Sequence, residues 1–195
     1  YKKNKTIKTN TFRIISGSLK GRKFSFKDSD GLRPTSGKAR ETLFNWLQFE
    51  INNKTILDPF AGSGALGIEA ISRGAGKVCF IEKDYKTHHI LESNLKLLES
   101  NRYDLTKQDS LKYLEVEKLS PFDYVFLDPP FNQQLIPLIL SLISKQNLID
   151  SKSKIYIETE FEIELEFLNS NIKYNCEIEK QKKSGNVYYC LISLS

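Results

Sequence analysis

Residues 54–70, KTILDPFAGSGALGIEA, decide the fold. TILD reads as a short strand closed by an acid, the glycines that follow break the chain, and from Ala65 apolar residues recur at helical spacing. Strand, glycine turn and helix make the first half of a βαβ unit. Downstream the pattern repeats. KVCFIE precedes a helix from Asp84 to about Ser100, YDLTK precedes a short helix, and FDYVFLD precedes a helix near residues 133–145; KIYIETE then adds another strand. Such alternation predicts a mostly parallel sheet covered on both faces. Two further strands, roughly IKYNCEIEKQ and NVYYCLISL, joined around Ser184-Gly185-Asn186, read as an antiparallel pair. Upstream, FRIIS-GSLKG-RKFSF reads as a basic β-hairpin whose connection is bounded by Gly17 and Gly21. Thr35 or Ser36 is placed to cap a helix that turns Ala39, Leu43, Phe44 and Leu47 toward the core.

Composition narrows the classes. With 195 residues, 39% of them hydrophobic, the chain suffices for one well-buried core and is short for two full domains. One domain is therefore expected, with residues 1–35 as a basic extension and hairpin and 36–195 as the core. No run of about 18 apolar residues suggests a membrane span, and YKKNKTIKTN lacks the apolar stretch of a secretory signal. Cys79, Cys176 and Cys190 are scattered and odd in number, which argues against a disulfide framework or a zinc site. His88 and His89 are sequence neighbours on a helix and do not share a face, so no metal is expected. A reduced, cytoplasmic, monomeric protein fits these features.

The charge is uneven. Residues 1–45 hold 12 Lys and Arg against 3 Asp and Glu, whereas the remainder is net negative. The early lysines, Lys2, Lys3, Lys5 and Lys8, are what a solvated tail would carry. Arg13, Lys20, Arg22, Lys23 and Arg33 continue the excess among Phe12, Phe24 and Phe26, a mixture that suits a structured surface meeting phosphates.

In an open parallel sheet, ligands sit at the carboxyl ends of the strands, near the reversal of strand order. Gly62 and Gly64 let the backbone turn sharply and approach a ligand there. Glu82, closing the second strand, is placed to grip ribose hydroxyls. Residues 62–67 also spell G-x-G-x-x-G, so a nicotinamide dinucleotide enzyme is a rival reading. Asp109 reads equally as a ligand contact or as the N-cap of the next helix. The run Asp128-Pro129-Pro130-Phe131 ends the fourth strand. By itself it reads equally as a plain turn, because proline cannot continue a ladder, and as a motif whose structural context must decide.

Asp58, Phe60, Gly62 and Gly64 form a D-x-F-x-G-x-G pattern that resembles the cofactor loop of Rossmann-like, class I S-adenosylmethionine-dependent methyltransferases. In that setting D-P-P-F resembles the motif of enzymes that methylate exocyclic or amide nitrogens. The longer stretches RIISGSLKGRKFSF, GLRPTSGKARETLFNWL, DPFAGSGALGIEAISRGA and FLDPPF, running in order through Arg13 to Glu160, resemble the RsmD family of bacterial 16S ribosomal RNA guanine-N2 methyltransferases. The resemblance implies a Rossmann-like class I sheet and S-adenosylmethionine at Thr35, Arg40, Asp58, Phe60, Gly62, Gly64, Glu82, Asp109 and Ser110. It also implies a target amino group held by Asp128 and the Pro129 carbonyl, with Pro130 fixing the turn and Phe131 giving the base a flat face. Transfer to a guanine N2 in 16S ribosomal RNA, free or in the small subunit, follows as the expected reaction. Adenine N6 or cytosine N4 is the alternative within the class. A non-catalytic RNA-binding module would account for the basic hairpin alone.

Overall fold

A computed structural model describes residues 9–27, 37–98, 100–131 and 134–195. β1 (Thr9–Arg13) and β2 (Lys23–Lys27) pair antiparallel with Phe12 opposite Phe24. α1 is Gly37–Trp46, and its Ala39, Leu43 and Phe44 are buried as the helical spacing predicts. The alternating units follow as β3 (Thr55–Asp58), α2 (Ala65–Ser72), β4 (Lys77–Ile81), α3 (Tyr85–Lys96), β5 (Tyr103–Thr106) and α4 (Ser110–Val116). The series continues with β6 (Tyr124–Leu127), α5 (Leu135–Lys145), β7 (Lys154–Thr159), α6 (Leu165–Asn171), β8 (Cys176–Ser184) and β9 (Val187–Leu194).

The large sheet has seven strands in the order β5-β4-β3-β6-β7-β9-β8. β3, β4, β5, β6 and β7 run parallel, while β9 enters antiparallel between β7 and β8. This is the Rossmann-like class I arrangement, with its reversal of strand order between β3 and β6. The β8–β9 connection is the two-residue turn Gly185-Asn186, with Ser184 opposite Val187 and Gly185 at φ 61°. Side chains alternate along the strands into two cores. Ile56, Phe80, Phe126 and Tyr156 lie in the layer shared with α1, α2 and the hairpin, whereas Leu57, Ile81, Leu127 and Ile157 face α5 and α6.

Some elements differ from expectation, among them β1, which ends at Arg13 rather than running to Ser16. α3 ends at Lys96 rather than near Ser100, β8 begins only at Cys176, and the short α6, unanticipated, fills the gap between β7 and β8. Its seven residues bury Leu168 alone, too little for a helical period to register.

The hairpin is part of the packed structure. Every residue of α2 is buried, because the hairpin covers the face that the sheet leaves open. Glu69 is the clamp. Its carboxylate, fully buried, accepts the Ile15 and Ser16 amides at 2.9 and 3.0 Å and the Arg73 guanidinium at 2.8 Å. Ser72 adds four bonds to the same loop: its carbonyl accepts from Ser18 N and the Ser18 hydroxyl, its hydroxyl accepts from Leu19 N, and that hydroxyl donates to Ser16 O. Asn94 of α3 pairs with both backbone groups of Ser25. Gly17 lies against the Ser72 carbonyl at φ 86°, so closely that any β-carbon would overlap it.

Candidate active site

The site is built from strand ends. Continuing the alternation one step past each strand's apolar layer puts an acid on the same face of four adjacent strands: Glu82 after β4, Asp58 in β3, Asp128 after β6 and Glu158 in β7. The sheet thus ends, at its switch point, in a row of carboxylates.

Asp58 is 2% exposed, and its Oδ2 has no hydrogen-bond partner among the described residues. Burial first, then the charges of Asp128 and Glu82, push its carboxyl from 3.8 up to about 8. A buried acid in that state is short of a cation or a donor. Glu82 is tied at both oxygens: Gly62 N donates to Oε2 at 2.9 Å and Asp84 N to Oε1 at 2.7 Å. The acid that closes β4 therefore also shapes the glycine loop after β3.

The three glycines of that loop divide their work. Gly62 and Gly64 both take positive φ, 52° and 77°. A β-carbon on Gly64 would strike Leu91, and one on Gly67 would strike the Phe80 ring, so these two serve close packing. Only Gly62 opens onto free space, its nearest neighbour being the Phe60 carbonyl at 3.9 Å. Of the two expected to approach a ligand, Gly62 is the one so oriented. Phe60 is half-buried against the α5 side of the sheet.

Other expected residues have identified partners. Asp109 caps α4, accepting from Leu111 and Lys112 amides. Ser110 is buried and donates its hydroxyl to the Pro59 carbonyl, which braces the loop from below. Arg40 is buried rather than exposed: it donates to the Arg13 carbonyl at 2.7 Å, lies over the Phe12 ring and approaches Glu69 at 3.7 Å. Its guanidinium thus locks α1 to the hairpin. Thr35 and Arg33 fall outside the described residues.

At the end of β6, Asp128 is half-buried, Pro129 buried and Pro130 exposed, while Phe131 keeps 40% of its surface open. Pro129 and Pro130 form one wall of a cavity of about 370 Å³ with Leu135, Ile136 and Phe161. On the hairpin, Arg13, Lys20, Arg22 and Lys23 all face solvent. Arg22 is partly engaged, donating to Leu97 O at 2.9 Å across the junction with α3.

Two acids escaped the sequence reading. Glu69 stands alone in the apolar run GIEAIS, and Glu158 is the next-to-last residue of β7, beside β6. A charge inside an otherwise apolar helix, and an acid at the carboxyl end of a parallel strand, were the available signals.

Comparison with known proteins bears on what this geometry serves. The family model described as Conserved hypothetical protein 95 matches residues 12–193. The Ribosomal RNA small subunit methyltransferase D of Haemophilus influenzae is 42% identical over 182 residues, covering 92% of each chain. Its Escherichia coli namesake is 38% identical over 179 residues, covering 92% of this chain and 88% of that one. The solved structure of yhhF, a candidate methyltransferase of Escherichia coli, superposes with a TM-score of 0.82 at 35% identity, covering 95% of this chain and 98% of that one.

Proposed function

Because the chain belongs to the Conserved hypothetical protein 95 family, the RsmD kind that its motifs resemble, we propose that it methylates the N2 amino group of a guanine in 16S ribosomal RNA, using S-adenosylmethionine. The names of the relatives supply the methyl transfer and the small-subunit RNA. The observation that carries the rest is Asp128-Pro129-Pro130-Phe131 at the switch point of the sheet, beside the under-partnered Asp58.

The residues present suit this cofactor. S-adenosylmethionine, when bound, supplies an activated methyl group on a positively charged sulfur, and its methionine end carries an ammonium. A row of buried and half-buried acids favours such a cationic ligand, and Asp58 Oδ2 is the acceptor left open for the ammonium. Gly62 gives the backbone its approach, Glu82 has lone pairs left for ribose hydroxyls, and Asp109 has its second oxygen for the adenine amino group. Phe60 and Gly64 shape the same loop. Ser110 braces that loop, Arg40 acts by holding α1 to the hairpin, and Thr35 completes the set.

A guanine amino nitrogen shares its lone pair with the ring and is a poor nucleophile. Asp128 and the Pro129 carbonyl accept its two hydrogens and turn the lone pair toward the methyl group, so that catalysis is chiefly orientation. The carboxylate of Asp128 then holds the proton that the methylated nitrogen sheds. Each of these residues precedes a proline, which biases its backbone away from the helical region and helps fix the oxygens. Phe131 stacks the extruded base, a contact worth ~1–3 kcal/mol. Arg13, Lys20, Arg22, Lys23 and Arg33 meet phosphates.

Asp128→Ala tests this directly. Single-turnover methyl transfer at saturating RNA and cofactor should fall at least about 100-fold, roughly 2.7 kcal/mol, with both affinities nearly unchanged. A folded variant within a few fold of wild type would make the motif a turn and nothing more.

A further inference from the structure

Glu158 is the one acid of the row without work in the proposed reaction. It is 5% exposed, its Oε1 accepts the Tyr156 hydroxyl at 2.8 Å, and it feels the charge of Asp128 on the adjacent strand. Opposite it on β9 stands Tyr189, 1% exposed, whose hydroxyl has no hydrogen-bond partner among the described residues. An apolar residue would close this layer at less cost, since a buried carboxylate is unfavourable unless it is paired. The fold instead keeps an acid here, braces one of its oxygens and leaves a neighbouring polar group unmet. That arrangement leaves polar capacity in the layer unused.

We infer that Glu158 determines the choice of base, its carboxylate accepting the ring N1–H of guanine while Asp128 accepts from the N2 amino group. This rests on the function proposed above. Adjacent strands stand about 4.8 Å apart, so Asp128 and Glu158, each one residue beyond the paired Leu127 and Ile157, offer two acceptors side by side. Guanine is the base whose exocyclic amino group stands beside a ring N–H. In adenine and cytosine the amino group is flanked instead by ring nitrogens bearing lone pairs, which would face the carboxylate and be repelled. When guanine docks, N1–H donates to the second oxygen of the Glu158 carboxylate, with Tyr156 holding the first.

The test compares target RNA carrying guanine at the methylated position with the same RNA carrying 2,6-diaminopurine, which keeps the N2 amino group but has a lone pair at N1. Wild type should methylate the guanine RNA at least about 100-fold faster in single turnover, as sites built to pair a polar group reject analogues lacking it. Glu158→Gln, whose amide can donate to a bare N1, should narrow that preference at least 10-fold, with the diaminopurine rate rising and cofactor affinity unchanged. Equal rates on the two RNAs with wild type would overturn the inference and leave the methylation reading intact. So would a variant slowed equally on both, which would make Glu158 a structural acid. Wild type inactive on the guanine RNA would instead overturn the proposed function, and this inference with it.

Discussion

Asp58 shows what a single residue's surroundings can decide. Below pH 4 its carboxyl is protonated in folded and unfolded chains alike. Between about pH 4 and its folded value of about 8, the folded chain keeps a proton that the unfolded chain has shed. Its contribution to stability therefore falls as pH rises through this window and levels off above it. Asp58→Asn should abolish that fall, so its melting temperature should gain on wild type steadily from pH 5 to pH 8.5. The same ionisation governs the proposed ammonium contact, so S-adenosylmethionine affinity by calorimetry should rise toward pH 8 in wild type and stay flat in the variant. At this scale the sequence was informative about acids at strand ends, because strand position alone places Asp58, Glu82 and Asp128. It was silent on partners. Nothing in RPTSGKARETLF says that Arg40 turns to the Arg13 carbonyl, and nothing in KQDSL says that Ser110 reaches Pro59, since both contacts join residues far apart in the chain.

Among the elements, the hairpin departs most from its sequence reading. Phe12 and Phe24, read as part of a surface that meets phosphates, are buried instead, and the strength of the attachment lies in Glu69, Ser72 and Asn94, which a local pattern cannot connect to residues 15–25. Glu69→Ala would strand the Arg73 guanidinium and two backbone amides in the interior. We expect destabilisation by about 3–5 kcal/mol in denaturant unfolding, together with faster hydrogen exchange at the Ile15 and Ser16 amides. Unchanged exchange at those two amides would show that the clamp is dispensable. The helices and parallel strands were readable because apolar periodicity marks them. α6 was not, being short and mostly exposed.

Across the whole molecule, charge and chemistry are separated. A cluster of exposed cationic residues lies on the hairpin and a row of acids at the strand ends, an arrangement that favours a polyanion in one region and a cationic cofactor in the other. Arg22 contributes to the α3 junction as well, so Lys20 and Lys23 are the cleaner probes of RNA binding. Reversing both to glutamate should lower the slope of log affinity against log salt by roughly 0.7–0.9 for each phosphate no longer neutralised, without changing cofactor affinity. A slope equal to wild type would assign the basic surface to solubility.

The position of β9 has a consequence for synthesis. It occupies the slot between β7 and β8, yet it follows both in the chain. A nascent polypeptide can emerge with β3 to β7, and with every acid of the row, while the outer edge of β7 still exposes unpaired amides and carbonyls beside Ile155 and Ile157. Until translation reaches Leu194, that edge is open to strands of other chains. Ribosome stalling or early termination within residues 174–194 would therefore yield an aggregation-prone product even though Asp128-Pro129-Pro130-Phe131 had already been translated.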